Sequence, residues 1–191
     1  MTKQAMALVL FTAGTAAYAG QPEQKLTVYV QNTTGVPCTV LVPAEALAGK
    51  MFAGIGISLV WRHGKPAGES SQPPIFVELV TGTPESLKPG ALAFALPYEG
   101  SHLTVFYDRI TANQYPGSML AHVMVHEITH LLQGIDRHSS TGVMKANWTK
   151  KDFGVMRMGT LPFAPEDVVL INAGMTARAR VAAAAAPAAT R

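Results

Sequence analysis

Residues 25–31 (KLTVYVQ) alternate apolar and polar positions and are rich in β-branched and aromatic side chains, which predicts a strand. Pro43 then opens a stretch in which Ala44, Leu47, Met51 and Phe52 recur at helical spacing. An amphipathic helix is expected to start there and to end at Gly54 and Gly56. Residues 57–61 (ISLVW) and 75–80 (IFVELV) predict two further strands, separated by a polar, Gly- and Pro-rich loop. Residues 91–96 (ALAFAL) and 103–107 (LTVFY) predict a fourth and a fifth around a turn at 97–101. A long helix is expected over 117–133, with apolar Met119, Val123, Met124, Ile128, Leu131 and Leu132, and with Gly134 just past its C-cap. The chain after Gly134 predicts little regular structure until Pro165, where Glu166 and Asp167 lead a third helix of about twelve residues. The order is therefore strand, helix, four strands, helix, irregular chain and closing helix.

The two ends differ from this middle. Residues 1–19 have a positive start at Lys3, an apolar stretch and Ala17-Tyr18-Ala19, the pattern of a secretory signal peptide cut after Ala19. The expected destination is secreted or periplasmic. Residues 182–191 (AAAAAPAATR) are low-complexity and broken by Pro187, so 181–191 are expected to be a disordered tail. The span 20–180 is expected to be one domain.

Composition narrows the classes. A chain of 191 residues suits one domain, and 48% hydrophobic residues suffice for a core. No apolar run reaches the roughly 18 residues a spanning helix needs, so no stable membrane span is expected. Net charge is +3 and the basic residues are scattered, which argues against a nucleic-acid partner. A monomer is expected. The lone Cys38 excludes a disulfide within the chain. Too few residues separate the expected cleavage site from the first strand for a thiol-bearing pro-segment, so Cys38 is expected to be a small buried hydrophobe.

Four of the six histidines fall at 122, 126, 130 and 138. Within the long helix, residues 126–130 read His-Glu-Ile-Thr-His, an H-E-x-x-H. Positions i and i+4 share one helix face with Cβ atoms about 5–6 Å apart, so two imidazoles can converge on one zinc at about 2.0–2.1 Å. Glu127 can then take a proton from a zinc-activated water. Two ligands do not hold a catalytic zinc; a third is needed, with one position left for water. Downstream stand Gly134, Asp136, His138 and, after a Ser-Ser-Thr-Gly-Val run, Met144.

These residues resemble the metzincin clan of zinc endopeptidases, whose motif is H-E-x-x-H-x-x-G-x-x-H followed by a methionine turn. The His-Ser-Ser and Gly-Val-Met wording is close to the matrix-metalloprotease-like branch. The spacing departs from the clan. Gly134 follows His130 by four residues where the clan has three, and His138 by eight where the clan has six. Asp136 stands at the clan's own spacing, and some members use aspartate there. His138 is expected as the third ligand, with Asp136 the alternative.

The resemblance implies an α+β fold: a twisted five-stranded mixed sheet with an antiparallel edge strand, two large helices and a short C-terminal subdomain ending in a helix, here residues 166–180. It implies that residues 91–96 form the edge strand along the cleft, pairing with an extended peptide substrate. It also implies a zinc-dependent endopeptidase with His126, His130 and His138 on zinc, Glu127 as base and Met144 beneath. A non-enzymatic exported zinc- or peptide-binding module is the alternative.

Lesser candidates remain. His122 lies one turn back on the ligand face, too far along the axis to join both ligands, and is expected to be structural or to support them. Asp108 and Arg109 suggest a local ion pair or loop anchor. Trp148 could line the substrate pocket or close the lower core.

Overall fold

The computed structural model describes residues 24–66, 72–82, 84 and 90–185. The expected signal peptide and the last six residues of the expected tail lie outside the described residues. Five strands form one mixed sheet: β1 (Gln24–Asn32), β2 (Ile57–His63), β3 (Ile75–Val80), β4 (Ala93–Ala95) and β5 (His102–Phe106). Their order is β2-β1-β3-β5-β4. Val30 pairs with Val77 and Leu79 with Val105 in parallel ladders, whereas Ala95 opposite Leu103 is antiparallel. The fold is α+β, with β4 as an antiparallel edge.

The alternation in residues 25–31 fixes which side of the sheet is dry. Leu26, Val28 and Val30 are fully buried, as are Ile75, Val77 and Leu79 in the neighbouring strand. Burial of each such side chain contributes about 1.5–3 kcal/mol. Between them, Tyr29, Phe76 and His102 stack across β1, β3 and β5 at 5.7 and 4.8 Å between ring centres.

Five helices accompany the sheet. The first, α1 (Cys38–Ala53), packs beside α3 (Pro116–Gln133). It begins five residues before Pro43, which lies inside it on an exposed position. Pro37 precedes the first turn in extended geometry, and Pro43, the sixth helical residue, withholds one i→i−4 hydrogen bond from the second turn. This early start overturns the expectation for Cys38. It is exposed, in the first turn, one turn short of the buried face that begins at Leu41.

Two helices were not expected. The short α2 (Tyr107–Thr111) takes over the last residue of the expected fifth strand. The longer α4 (Lys150–Met158) occupies a stretch read as irregular; a reciprocal cap between Thr149 and Asp152 starts it. The closing helix α5 (Pro165–Ala185) has 21 residues, not about twelve. Alanine is the best helix former, so the run entering the expected tail continues the helix. By length and composition α5 could cross a membrane, although no membrane span is expected from the sequence. It packs on α3, with Ile171 and Met175 buried. Gly174 makes that approach possible: a Cβ there would stand 1.7 Å from the Leu132 carbonyl oxygen.

Candidate metal centre

The central helix α3 carries His126 and His130 on its buried face, 9% and 5% exposed. Gly134 ends it at φ +67°, and the chain turns back so that His138 arrives beside them. One ligand atom from each of the three imidazoles lies within 4.8 Å of the other two. The structure thus brings together the three histidines selected in the sequence. Asp136 is exposed and stands outside this cluster.

The local bonding sets which nitrogens are free. His126 Nδ1 donates to the Val143 carbonyl at 2.9 Å, and His130 Nδ1 donates to that of Ile135 at 3.2 Å. An imidazole that donates from Nδ1 carries a lone pair on Nε2 when neutral. The two Nε2 atoms face each other at 3.1 Å. Burial lowers both histidine pKa values, that of His126 to about 4, so both rings are neutral at pH 7. Two lone pairs facing at that distance repel unless a cation lies between them. Tetrahedral nitrogens on one zinc stand about 3.3 Å apart, from bond lengths of about 2.0–2.1 Å. The donor set therefore fits a zinc ion.

The chain below the cluster is held in turn. Ser139 N donates to Met144 O at 2.8 Å, closing a loop over a fully buried Met144. Val143 N donates to Pro162 O at 2.9 Å. Gly142 makes this approach possible: its φ is +75°, and a Cβ would lie 2.2 Å from that same oxygen. Trp148 Nε1 donates to Val143 O at 3.1 Å, and its ring stands edge-on to His126 at 5.7 Å. Trp148 also lines the cleft, so it serves both the pocket and the packing beneath it.

Asp167 is a residue whose role the sequence did not reveal. Fully buried at the start of α5, it accepts from Ser139 Oγ at 2.7 Å, Arg137 Nη1 at 2.8 Å, Gln133 Nε2 at 3.3 Å and Ala164 N at 3.3 Å. Two of those donors flank His138. In sequence it was indistinguishable from Glu166, since both suit a helix N-terminus.

Glu127 sits between α3 and the edge strand. Burial raises its pKa to about 8, repulsion from Asp136 adds to this, and the Ala95 N–H opposes it. On either side of β4, the Leu92 carbonyl and the Leu96 amide bond to β5. Antiparallel alternation therefore turns the N–H and C=O of Ala93 and Ala95 away from β5. Regular β4 is shorter than the expected 91–96. Arg109 donates to the Ala91 carbonyl just before it and lies over Phe106, so it is the loop anchor of the two expected alternatives. The cleft holds about 720 Å³; its walls include Leu92, Ala93, Val123, His126, Glu127 and His138.

His122 belongs to the scaffold. It is fully buried, donates from Nδ1 to Ser118 O at 2.8 Å and accepts from Leu161 N at Nε2 at 3.1 Å. Both nitrogens are occupied, so neither is available to a metal.

No family model matches this chain, and no curated protein matches it. Among solved structures it is similar to the crystal structure of archaemetzincin from Methanopyrus kandleri, with a TM-score of 0.54 and 12% identity over 83% of this chain and 99% of that one. At that identity the likeness concerns the fold.

Proposed function

We propose that this chain is a zinc-dependent endopeptidase, with His126, His130 and His138 as zinc ligands and Glu127 as general base. The observation that carries the reading is the pair of buried Nε2 atoms facing at 3.1 Å, with both Nδ1 positions committed to carbonyls. An H-E-x-x-H helix, a turn glycine, a third histidine and a buried methionine support it, as does a fold shared with a protein named archaemetzincin.

A zinc ion held by the three imidazoles would acidify a bound water and polarise the scissile carbonyl. The chain's own groups account for the rest. The outward amide and carbonyl of Ala93 would pair with an extended peptide lying along the edge strand. The positive charge of a bound zinc would favour the ionised form of Glu127, whose carboxylate would then take the proton of the attacking water and pass it to the leaving amine. The substrate is a peptide or protein, and export directed by residues 1–19 belongs to the same reading.

Zinc content and casein hydrolysis, measured on the chain and on Glu127→Ala, test it. The variant is expected to keep its zinc and lose hydrolysis; equal hydrolysis by the two proteins contradicts the role of Glu127. The stretched spacing between His130 and His138 favours a second reading, an exported zinc- or peptide-binding module without turnover. Stoichiometric zinc with no hydrolysis of any peptide in a library would select it.

A further inference from the structure

Beside the cleft lies a second hollow of about 470 Å³, between the start of α3 and α4. Asn113, Met119 and Phe153 line both, so the two adjoin. Tyr115, Gly154 and Arg157 complete the wall of the second. Its rim is apolar and unusually open: Tyr115 is 42% exposed and Phe153 41%.

Among the described residues, the one charged side chain in its wall is Arg157. Lys150, Lys151 and Arg157 all stand exposed on α4. The helix's one acid, Asp152, is engaged by Lys145 and by Thr149. Among the described residues no carboxylate pairs with Lys150, Lys151 or Arg157. Arg157 lies over the Tyr115 ring at 6.0 Å, at the edge of the hollow.

We propose that this hollow is a second docking subsite for the polypeptide bound in the cleft, taking an apolar side chain against Tyr115 and Phe153 and an acidic one at Arg157. The inference rests on the reading of the cleft as a peptide site. Shared walls make the occupant a continuation of the same chain, and Arg157, unpaired among the described residues, selects an acidic group. The subsite would favour substrates that carry an apolar–acidic pair at one fixed distance from the bond beside the histidines.

Binding of fluorescein-labelled, length-matched peptides to the zinc-loaded Glu127→Gln chain, followed by anisotropy, tests the subsite. A Leu-Asp pair is moved along each flank and compared with Leu-Lys and Ser-Ser. At one register Leu-Asp should bind about tenfold tighter than Ser-Ser, from burial of the leucine. It should bind about threefold tighter than Leu-Lys, as an exposed ion pair allows. Arg157→Glu should invert the preference for aspartate. Gly154→Trp should remove that for leucine, because a Cβ at Gly154 meets no atom within 4 Å and the indole would enter the hollow. Equal affinity at every register overturns the proposal. So does either preference surviving its variant, or Arg157-dependent binding to phosphatidylglycerol vesicles without any peptide preference. Failure of the peptidase reading looks different: the preferences appear, yet the zinc-loaded wild-type chain leaves the same peptides uncut.

Discussion

His126 and Trp148 donate to one oxygen atom, the carbonyl of Val143, at 2.9 and 3.1 Å. The backbone immediately past Gly142, just before Met144, therefore fixes the tautomer of a helix-borne imidazole, and the indole fixes that backbone. Trp148→Phe keeps an aromatic ring but loses the donor and part of the indole's volume, so at least about 1 kcal/mol of stability should go with it. Trp148→Ala also empties the space against His122 and His126 and should cost about 3–5 kcal/mol. Denaturant midpoints of the metal-free proteins check the difference; an unchanged midpoint in Trp148→Phe would remove the hydrogen bond from the explanation.

Two glycines near the site should respond unequally to the same change. Gly134 has φ +67° but open space around a Cβ, so Gly134→Ala should cost about 1–2 kcal/mol, the strain of a left-handed alanine. Gly142 combines φ +75° with an approach of 2.2 Å to Pro162 O. Gly142→Ala must move the turn that carries Val143, so it should lose more stability and also weaken zinc binding. Urea unfolding with a zinc competition assay reads both quantities.

Asp167 should matter more than its distance from the metal suggests. Asp167→Ala leaves Ser139 Oγ and Arg137 without their buried acceptor and should cost at least about 2 kcal/mol. Because those donors flank His138, zinc affinity should fall as well. Asp167→Asn should recover part of the stability by retaining one acceptor oxygen. A full loss in the asparagine variant would place the effect in the charge alone.

Stability of the metal-free chain should peak near pH 6.5. His126 is lowered from 6.5 to about 4, and burial also lowers His122 and His130. As pH falls below 6.5 the unfolded chain takes up these protons before the folded one does, so stability drops. Glu127 is raised from 4.5 to about 8, so the folded state holds its proton while the unfolded chain has lost it. Stability from this group therefore falls as pH rises toward 8, and above 6.5 no histidine opposes it. Melting temperatures from pH 4 to 9 should show both limbs, and Glu127→Gln should flatten the alkaline one. An alkaline limb unchanged in Glu127→Gln would refute its assignment.

The sequence revealed most where pattern and chemistry coincide. The i, i+4 histidines, the glycine after α3 and the alternation in β1 all follow from local periodicity, and the five strands came out in order. It revealed least where the signal is short or shared. The KKDFGVMRM stretch of α4 is polar and holds Gly154, so its start showed only in the spacing of Thr149 and Asp152. Pro43 misplaced the start of α1 because a proline near a helix's first turn looks the same as one at it. Asp167 and Gly174 owe their importance to contacts with residues more than 25 positions away, which no local pattern reports.

Zinc affinity of His138→Ala and Asp136→Ala beside the wild-type chain tests the metal centre most directly. The geometry predicts that the wild type binds one zinc, that His138→Ala weakens binding by at least about tenfold, and that Asp136→Ala leaves it nearly unchanged. Loss of zinc in Asp136→Ala with retention in His138→Ala would contradict the three-histidine site.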